Sequence, residues 1–337
     1  MSYIIFENVE KYYKDNHVLK DVNLSIERGD FVTLLGSSGC GKSTLLRSLA
    51  GLEQISSGKI HLQGRDITNL SPRERNIGMI FQQYSLFPNM DVYSNVAFGL
   101  KMKKVHKDII YDQVQKALRL VDLKGYEKRY PYQLSGGEQQ RIALARSIVT
   151  EPKVLLLDEP FNAIDAKLRR SLQSRIKEIH RELKMTSIFV THDQEEAMFM
   201  SDIIHLMKDG VIRQSGSPIE IYRNPRDLFT AEFIGNHNII DSRDFSDLTG
   251  SDETVSSKIL IRSETIELSE EKFEQDRESY SLWGYIDNIS FRGNIVRYAI
   301  KIGNISLNAD ILFRDSKTFD MGQEIYLQID KKSCVEI

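Results

Sequence analysis

The run Gly36-Ser37-Ser38-Gly39-Cys40-Gly41-Lys42-Ser43-Thr44 constrains this chain more than any other stretch. It fits glycine, four residues, then Gly-Lys followed by Ser or Thr, a pattern that cradles phosphate. The apolar segment Phe31 to Leu35 precedes it and suits a buried strand, while Ser43 to Ala50 follows with helical periodicity. A phosphate in that turn meets free backbone N–H groups at a helix N-terminus, and the glycines let it come close. Lys42 reaches the outer phosphates, and the Ser43 hydroxyl is placed to ligate Mg2+. Strand before and helix after separate this from a glycine-rich turn with a stray lysine. The chain is expected to bind a nucleoside triphosphate.

At 337 residues the chain exceeds one comfortable core, so two domains are expected. Hydrophobic residues at 41% and charged residues at 28% fit an ordinary folded protein. A net charge of -3 weighs against nucleic acid as the main partner. The 2 cysteines, Cys40 and Cys334, form no disulfide framework and suit a reducing compartment. The start, MSYIIFENVEKYY, has acidic residues and no long apolar core, unlike a signal peptide. No apolar run approaches the ~20 residues of a membrane helix. A cytoplasmic protein is expected, with any membrane role exerted through a partner.

Residues 3–9 and 17–26 alternate in strand fashion around a turn at Lys14-Asp15-Asn16, and Lys59 to Gln63 reads likewise. Asn76 to Phe81, Lys153 to Leu157 and Ser187 to Val190 read as short buried strands. Helical patterns dominate from Val92 to about Thr150, notably Ile109 to Val121 and Gly136 to Ile148, and again from Ala166 to Leu183. Strands alternating with helices imply a parallel sheet covered on both faces. Residues 242–256 are rich in Ser, Asp and Thr and read as a linker or exposed loop. Residues 258–337 then show strand alternation punctuated by Gly284, Gly293, Gly303 and Gly322, as in a small barrel-like all-β domain.

Two further segments carry chemistry. Lys153 to Pro160 is an apolar strand ending in two carboxylates, and strand ends in such a sheet face the ligand crevice. Asp158 is placed to hold Mg2+ opposite Ser43, and Glu159 to orient or deprotonate an attacking water. Leu134 to Arg141, LSGGEQQR, opens a helix that Ser135 caps, with Glu138 completing a capping box. Yet Gly136 and Gly137 together are costly at a plain helix start. They also suit a phosphate lying against the backbone, which would make a second anion site.

These motifs and their order resemble the ATP-binding subunit of an ATP-binding cassette (ABC) transporter. LSGG followed by Gln or Glu is that family's signature; Walker A lies at 36–44 and Walker B at 154–158, and the resemblance spans residues 3 to about 235. It implies an α/β fold of the P-loop NTPase type over residues 1–235. This fold has a mixed sheet, an antiparallel β subdomain and a helical signature subdomain over about 88–150. It implies ATP and Mg2+ as ligands, with Gln82 reaching both the metal and the attacking water. His192, in VTHDQEEA, would bind the γ-phosphate and position Glu159, and Asp165 would serve in the D-loop. Two chains would pack head to tail, each ATP lying between one Walker A and the other chain's Ser135, Gly136, Gly137 and Glu138. Tyr13 stands where an aromatic stacks on adenine, although a plain strand-edge tyrosine reads the same. The D-loop departs from the family, with Asn162-Ala163-Ile164 where Ser-Ala-Leu or Ser-Asn-Leu is usual. His106 and His180 lack such context and read as surface residues.

The exposed run Tyr84 to Met90 would, by the same resemblance, help form a groove for a short helix of a membrane subunit. Residues 236–337 resemble more loosely the TOBE extension of importer ATPases, through Ile261-Arg262-Ser263-Glu264 and SFRGNIVRYAIKIG. The aromatic cluster Trp283, Tyr285, Phe291 and Tyr298, with Arg292, suggests oligonucleotide binding, but no basic stripe accompanies it. The expected function is an ATPase at the cytoplasmic face of the membrane, working as a homodimer. It would drive uptake through two integral membrane permease subunits, served indirectly by an extracytoplasmic solute-binding protein. The segment Phe233 to Ile239 is similar to the polyamine group, with ferric-iron and phosphonate groups next. A soluble ABC ATPase acting on DNA or ribosomes is the alternative. It is opposed by a single cassette without extended heptads.

Overall fold

The computed structural model describes residues 2–81, 86–162, 164–251, 257–274, 276–314 and 318–337. The chain divides into two compact units, the first running to Ile219 and the second beginning at Glu220.

In the first unit the N-terminal alternation becomes an antiparallel hairpin, Ile4–Tyr13 against Asn16–Ile26. Lys14 turns it with a φ of 53°. Ser57–Leu62 pairs on the other side of Ile4–Tyr13, and Arg65–Asp66 completes a four-stranded sheet. A second sheet has six strands in the order Val211–Gly216, Ile203–Lys208, Phe31–Gly36, Thr186–Thr191, Val154–Asp158 and Ile77–Ile80. Its neighbours pair in parallel except at the Val211–Gly216 edge, which is antiparallel.

Val154–Asp158 is buried at every position, and successive side chains enter different cores. Val154 and Leu156 pack with the N-terminal sheet and with Leu45, Leu46 and Leu49 of the helix Lys42–Ala50. Leu155 and Leu157 pack with residues of the helices Val92–Met102, Lys107–Leu120, Gly136–Ile148 and Ala166–Leu183. Both faces of the sheet are covered, so the strand reads as a continuous apolar run. The parallel register aligns Leu35 with Thr191 and Asp158 with Val190. The C-terminal ends of three neighbouring strands therefore open side by side.

His180 is not a surface residue: it is 7% exposed, with Nδ1 at 2.9 Å from Ser187 Oγ and its ring edge-on to Phe31. It follows Ile176 by one helical turn, so it rides the apolar stripe of its helix into the core.

The second unit holds one apolar core under two sheets. Five strands run in the order Ile266–Ser269, Glu324–Asp330, Ser279–Arg292, Ile295–Ile302 and Ile305–Leu312; three more are His237–Asp241, Lys258–Arg262 and Cys334–Glu336. Val296, Tyr298, Ile300 and Ile302 point inward, in keeping with period 2. Tyr298 is thereby removed from the exposed aromatic cluster, whereas Trp283, Tyr285 and Phe291 remain at the surface. The expected loop over 242–256 is corrected in part: Ser242–Thr249 is a helix, and residues 252–256 lie outside the described residues. Phe245 is buried and Leu248, three residues on, packs against the same core. Two apolar side chains among polar ones suffice to seat one short helix.

Candidate active site

The phosphate loop leaves the sheet at Gly36, the last residue of a fully buried strand. A Cβ there would stand 2.3 Å from Met207 O, so only glycine fits. Gly41 caps the following helix with a φ of 104° and would also meet Val18 O at 2.9 Å. Ser37, Ser38 and Gly39 form the exposed tip, and Thr44 is half-buried. Cys40 turns inward, and burial pushes its thiol up from the ordinary value. Lys42, only 4% exposed, donates from Nζ to Gly36 O at 2.7 Å and Ser37 O at 2.8 Å. The loop's own carbonyls thus hold the ammonium in the middle of the turn.

Asp158 ends its strand almost wholly buried. Ser43 Oγ donates to Asp158 Oδ1 at 2.6 Å, and Arg47 Nη2 donates to Oδ2 at 3.2 Å. Ser43 and Arg47 are one helical turn apart on the same face, a spacing readable in the sequence although Arg47 was not singled out there.

Glu159 adopts a left-handed φ of 46°. Such a conformation costs a non-glycine residue roughly 1–3 kcal/mol and persists where its surroundings hold it. Its N–H donates to Val190 O at 3.1 Å, and its carboxylate accepts from Asn162 Nδ2 at 2.6 Å. His192 Nδ1 lies 3.7 Å from Glu159 Oε1, and the imidazole is half exposed. Behind His192, Thr191 Oγ1 donates to Glu196 at 2.6 Å and accepts from Asp193 N at 3.0 Å. Glu196 is buried, which raises its carboxyl above the usual range.

Ser135 caps the helix Gly136–Ile148, accepting from Glu138 N, while Glu138 Oε2 accepts from Ser135 N at 2.8 Å. That backbone donor leads the interactions holding the Glu138 carboxyl below its ordinary value. The capping reading is therefore correct. The two glycines differ, however. A Cβ on Gly137 would meet Leu168 at 2.4 Å, whereas one on Gly136 would meet nothing within 4 Å. Gly137 serves helix packing, and Gly136 faces open space. Gln140, buried, donates to Pro160 O at 2.8 Å and ties this helix to the turn after Asp158.

Asp165 caps the helix Ala166–Leu183, accepting from Leu168 N at 3.0 Å. Tyr13 ends its strand at 43% exposure. Gln82 lies outside the described residues, as do Tyr84, Ser85 and Ala163. Within one chain the structure gathers Gly36 to Thr44, Asp158, Glu159 and His192 at adjoining strand ends. Ser135 and Glu138 bond with each other at a separate helix start.

A family model for the ABC transporter matches residues 19–162, and one for the TOBE domain matches residues 259–336. The spermidine/putrescine import ATP-binding protein PotA of Clostridioides difficile is 43% identical over 340 residues, 97% of this chain and 95% of its own. Among solved structures, cbiO1 of Clostridium perfringens, part of the ABC transporter complex cbiONQ, has a TM-score of 0.62 at 32% identity. That alignment covers 66% of this chain and 91% of cbiO1. A dimeric ATP-binding cassette in a post-hydrolysis state, bound to ADP and Pi, has a TM-score of 0.58 at 31% identity, covering 64% of this chain and 98% of its own. The chain belongs to the ABC transporter family: it is an ATP-binding, ATP-hydrolysing cassette of the importer type that carries a C-terminal TOBE domain.

Proposed function

We propose that this chain energises the import of a polyamine, spermidine or putrescine, through separate membrane subunits. The observation that carries this is a match running through both domains to proteins named for spermidine/putrescine import. Phe233 to Ile239, similar to the polyamine group in sequence, supports the same substrate.

Two copies pack head to tail, and each ATP lies between Gly36 to Thr44 of one protomer and the signature of the other. Ser135 and Gly136 suit this role because they are exposed at a helix N-terminus with room for an anion. Mg2+ fits the residues present. The Ser43 hydroxyl and the Asp158 carboxylate touch, and both are hard oxygen donors. No cluster of three or more His, Cys, Asp or Glu occurs among the described residues, and Gln82 would join Ser43 and Asp158 in holding the ion. When bound, the ion would neutralise charge on the transferring phosphoryl group.

The protein's own work is positioning. Lys42 leaves the loop carbonyls for the outer phosphates, and Glu159 orients and deprotonates the attacking water. His192 and Gln82 sense the γ-phosphate, and Tyr13 stacks on the base. Nucleotide binding closes the dimer and hydrolysis loosens it, because the γ-phosphate exists in only one state. Among the described residues no helix is long and apolar enough to cross a membrane. Attachment at the cytoplasmic face runs through two permease subunits, which receive substrate from an extracytoplasmic binding protein.

Uptake of labelled spermidine and putrescine in a strain deleted for this chain tests the reading. Wild-type protein should restore uptake and Glu159→Gln should not. Restored ATPase activity without any polyamine uptake would sink the substrate assignment.

A further inference from the structure

We propose that Lys11 and Glu53 are positioning residues that hold the Tyr13 ring ready for the nucleotide base, and so set base affinity without touching the phosphates. The inference rests on the reading above that Tyr13 stacks on adenine. Tyr13 is the last residue of Ile4–Tyr13, beside the turn at Lys14, and nearly half of it is exposed. A tyrosine in such a place ordinarily samples several rotamers, and a stacking ligand must then pay for ordering it. Here the ring is restrained. Lys11 lies two residues earlier and projects to the same face of the strand.

The Lys11 ammonium is itself fixed in three ways. It donates to Gln54 O at 2.6 Å, pairs with Glu53 Oε2 at 3.1 Å, and sits over the Tyr13 ring at 4.5 Å from its centroid. Its side chain is only 11% exposed, so the pair is partly withdrawn from solvent. Glu53 stands beside the Tyr13 hydroxyl as well, and burial together with this carboxylate holds the phenol above its ordinary value. One ring face thus carries a cation and the hydroxyl edge faces a carboxylate. Nearly half of the tyrosine stays exposed, which leaves surface on which a base can stack.

The anchor also has a useful address. Glu53 and Gln54 follow Gly51, the C-cap of Lys42–Ala50, the helix whose N-terminus frames the phosphate loop. Thr44 and Arg47 of that helix also act on the Tyr13 hydroxyl. The contacts of Lys11 and Glu53 therefore tie the stacking ring to the phosphate-binding helix. They fix the distance between the base and phosphate subsites, which lie on different sheets.

The test compares two ligands on the full chain by calorimetry: Mg-ATP, which needs both subsites, and Mg-tripolyphosphate, which needs one. Lys11→Met and Glu53→Gln should each weaken ATP roughly three- to tenfold, the range of a partly desolvated cation–π contact, and leave tripolyphosphate unchanged. Lys11→Arg keeps a cation over the ring and should recover most of the ATP affinity. Equal losses for both ligands would mean a merely structural tie, and tighter ATP binding in Lys11→Met would mean the ammonium occupies the base's own place; either result overturns the inference. Tyr13→Ala separates the two levels. If it leaves ATP affinity unchanged, the stacking reading itself fails. If it weakens ATP while Lys11→Met and Glu53→Gln do not, only the positioning role fails.

Discussion

Asn162 donates from Nδ2 to Glu159 Oε2 at 2.6 Å, so the residue that departs from the family's usual D-loop serine holds the carboxylate proposed as the catalytic base. The two are three residues apart, joined by a tight turn in which Asn162 N also donates to Glu159 O at 3.4 Å. A serine hydroxyl is one bond shorter in reach than the Asn162 amide nitrogen, so it would hold the Glu159 carboxylate less closely.

Asn162→Ala should therefore lower the steady-state turnover of ATP about tenfold, the scale of one hydrogen bond to a charged group. Nucleotide affinity should stay within about twofold, because Asn162 does not line the phosphate loop. Equal changes in kcat and in ATP affinity would assign Asn162 to nucleotide binding instead. Asn162→Ser, the family's usual residue, should fall between the two.

Gly136 and Gly137 allow stability to be separated from function. Gly136→Ala meets open space and improves helix propensity, so the thermal midpoint should hold or rise, by at most about 1 kcal/mol of stability. ATP turnover should nevertheless drop sharply if an anion must lie against that backbone. Gly137→Ala forces Leu168 aside and should lower the midpoint. Differential scanning calorimetry beside an ATPase assay reads both. Full activity in Gly136→Ala would remove Gly136 from the proposed phosphate contact.

His205 predicts a pH effect of definite sign. Burial within the Ile203–Lys208 strand lowers its pKa from 6.5 to about 4. In the unfolded chain the imidazole takes a proton near pH 6.5, and in the folded chain only near pH 4. Its neutral form therefore stabilises the fold fully above pH 6.5, and that contribution is lost as pH falls towards 4. The loss amounts to about 3 kcal/mol. His205→Gln keeps a polar partner for Ser215, which lies 2.7 Å from His205 Nδ1, but cannot titrate. Urea unfolding at pH 7.5, 5.5 and 4.5 should show a shallower decline for the variant. Parallel curves would mean that His205 binds its proton as readily in the folded chain as in the unfolded one.

The phosphate loop, the Asp158-Glu159 pair and most core strands were legible because each leaves a local pattern: glycines at fixed offsets, an apolar run, a carboxylate at its end. What escaped was side chains whose meaning depends on distant neighbours. Arg47 reads as an exposed helix residue until Asp158 stands beside it, 111 positions away. His180 looked superficial because one polar residue at the margin of an apolar stripe leaves no signal of its own. Lys11 is an ordinary strand lysine until Glu53 and Gln54 come round to meet it. The helix Ser242–Thr249 hid in a polar stretch because two apolar residues three apart are too few for a period to stand out.

The shared-site arrangement makes the last prediction. In each chain Ser135 and Glu138 spend their polar groups on one another at a helix start, while Lys42, Ser43 and Asp158 meet at the strand ends. If ATP needs both sets and one chain supplies them to different nucleotides, two defective chains can complement. Lys42→Ala protein keeps an intact signature, and Ser135→Arg protein keeps an intact phosphate loop. Mixed in equal amounts, half of the dimers are heterodimers. Each heterodimer joins both defects in one site and assembles one site from two undamaged halves. Turnover should rise well above that of either parent, and should fall with dilution as dimers dissociate. A mixture as inactive as its parents, with heterodimers demonstrated by native mass spectrometry, would show that each chain hydrolyses ATP with its own residues alone.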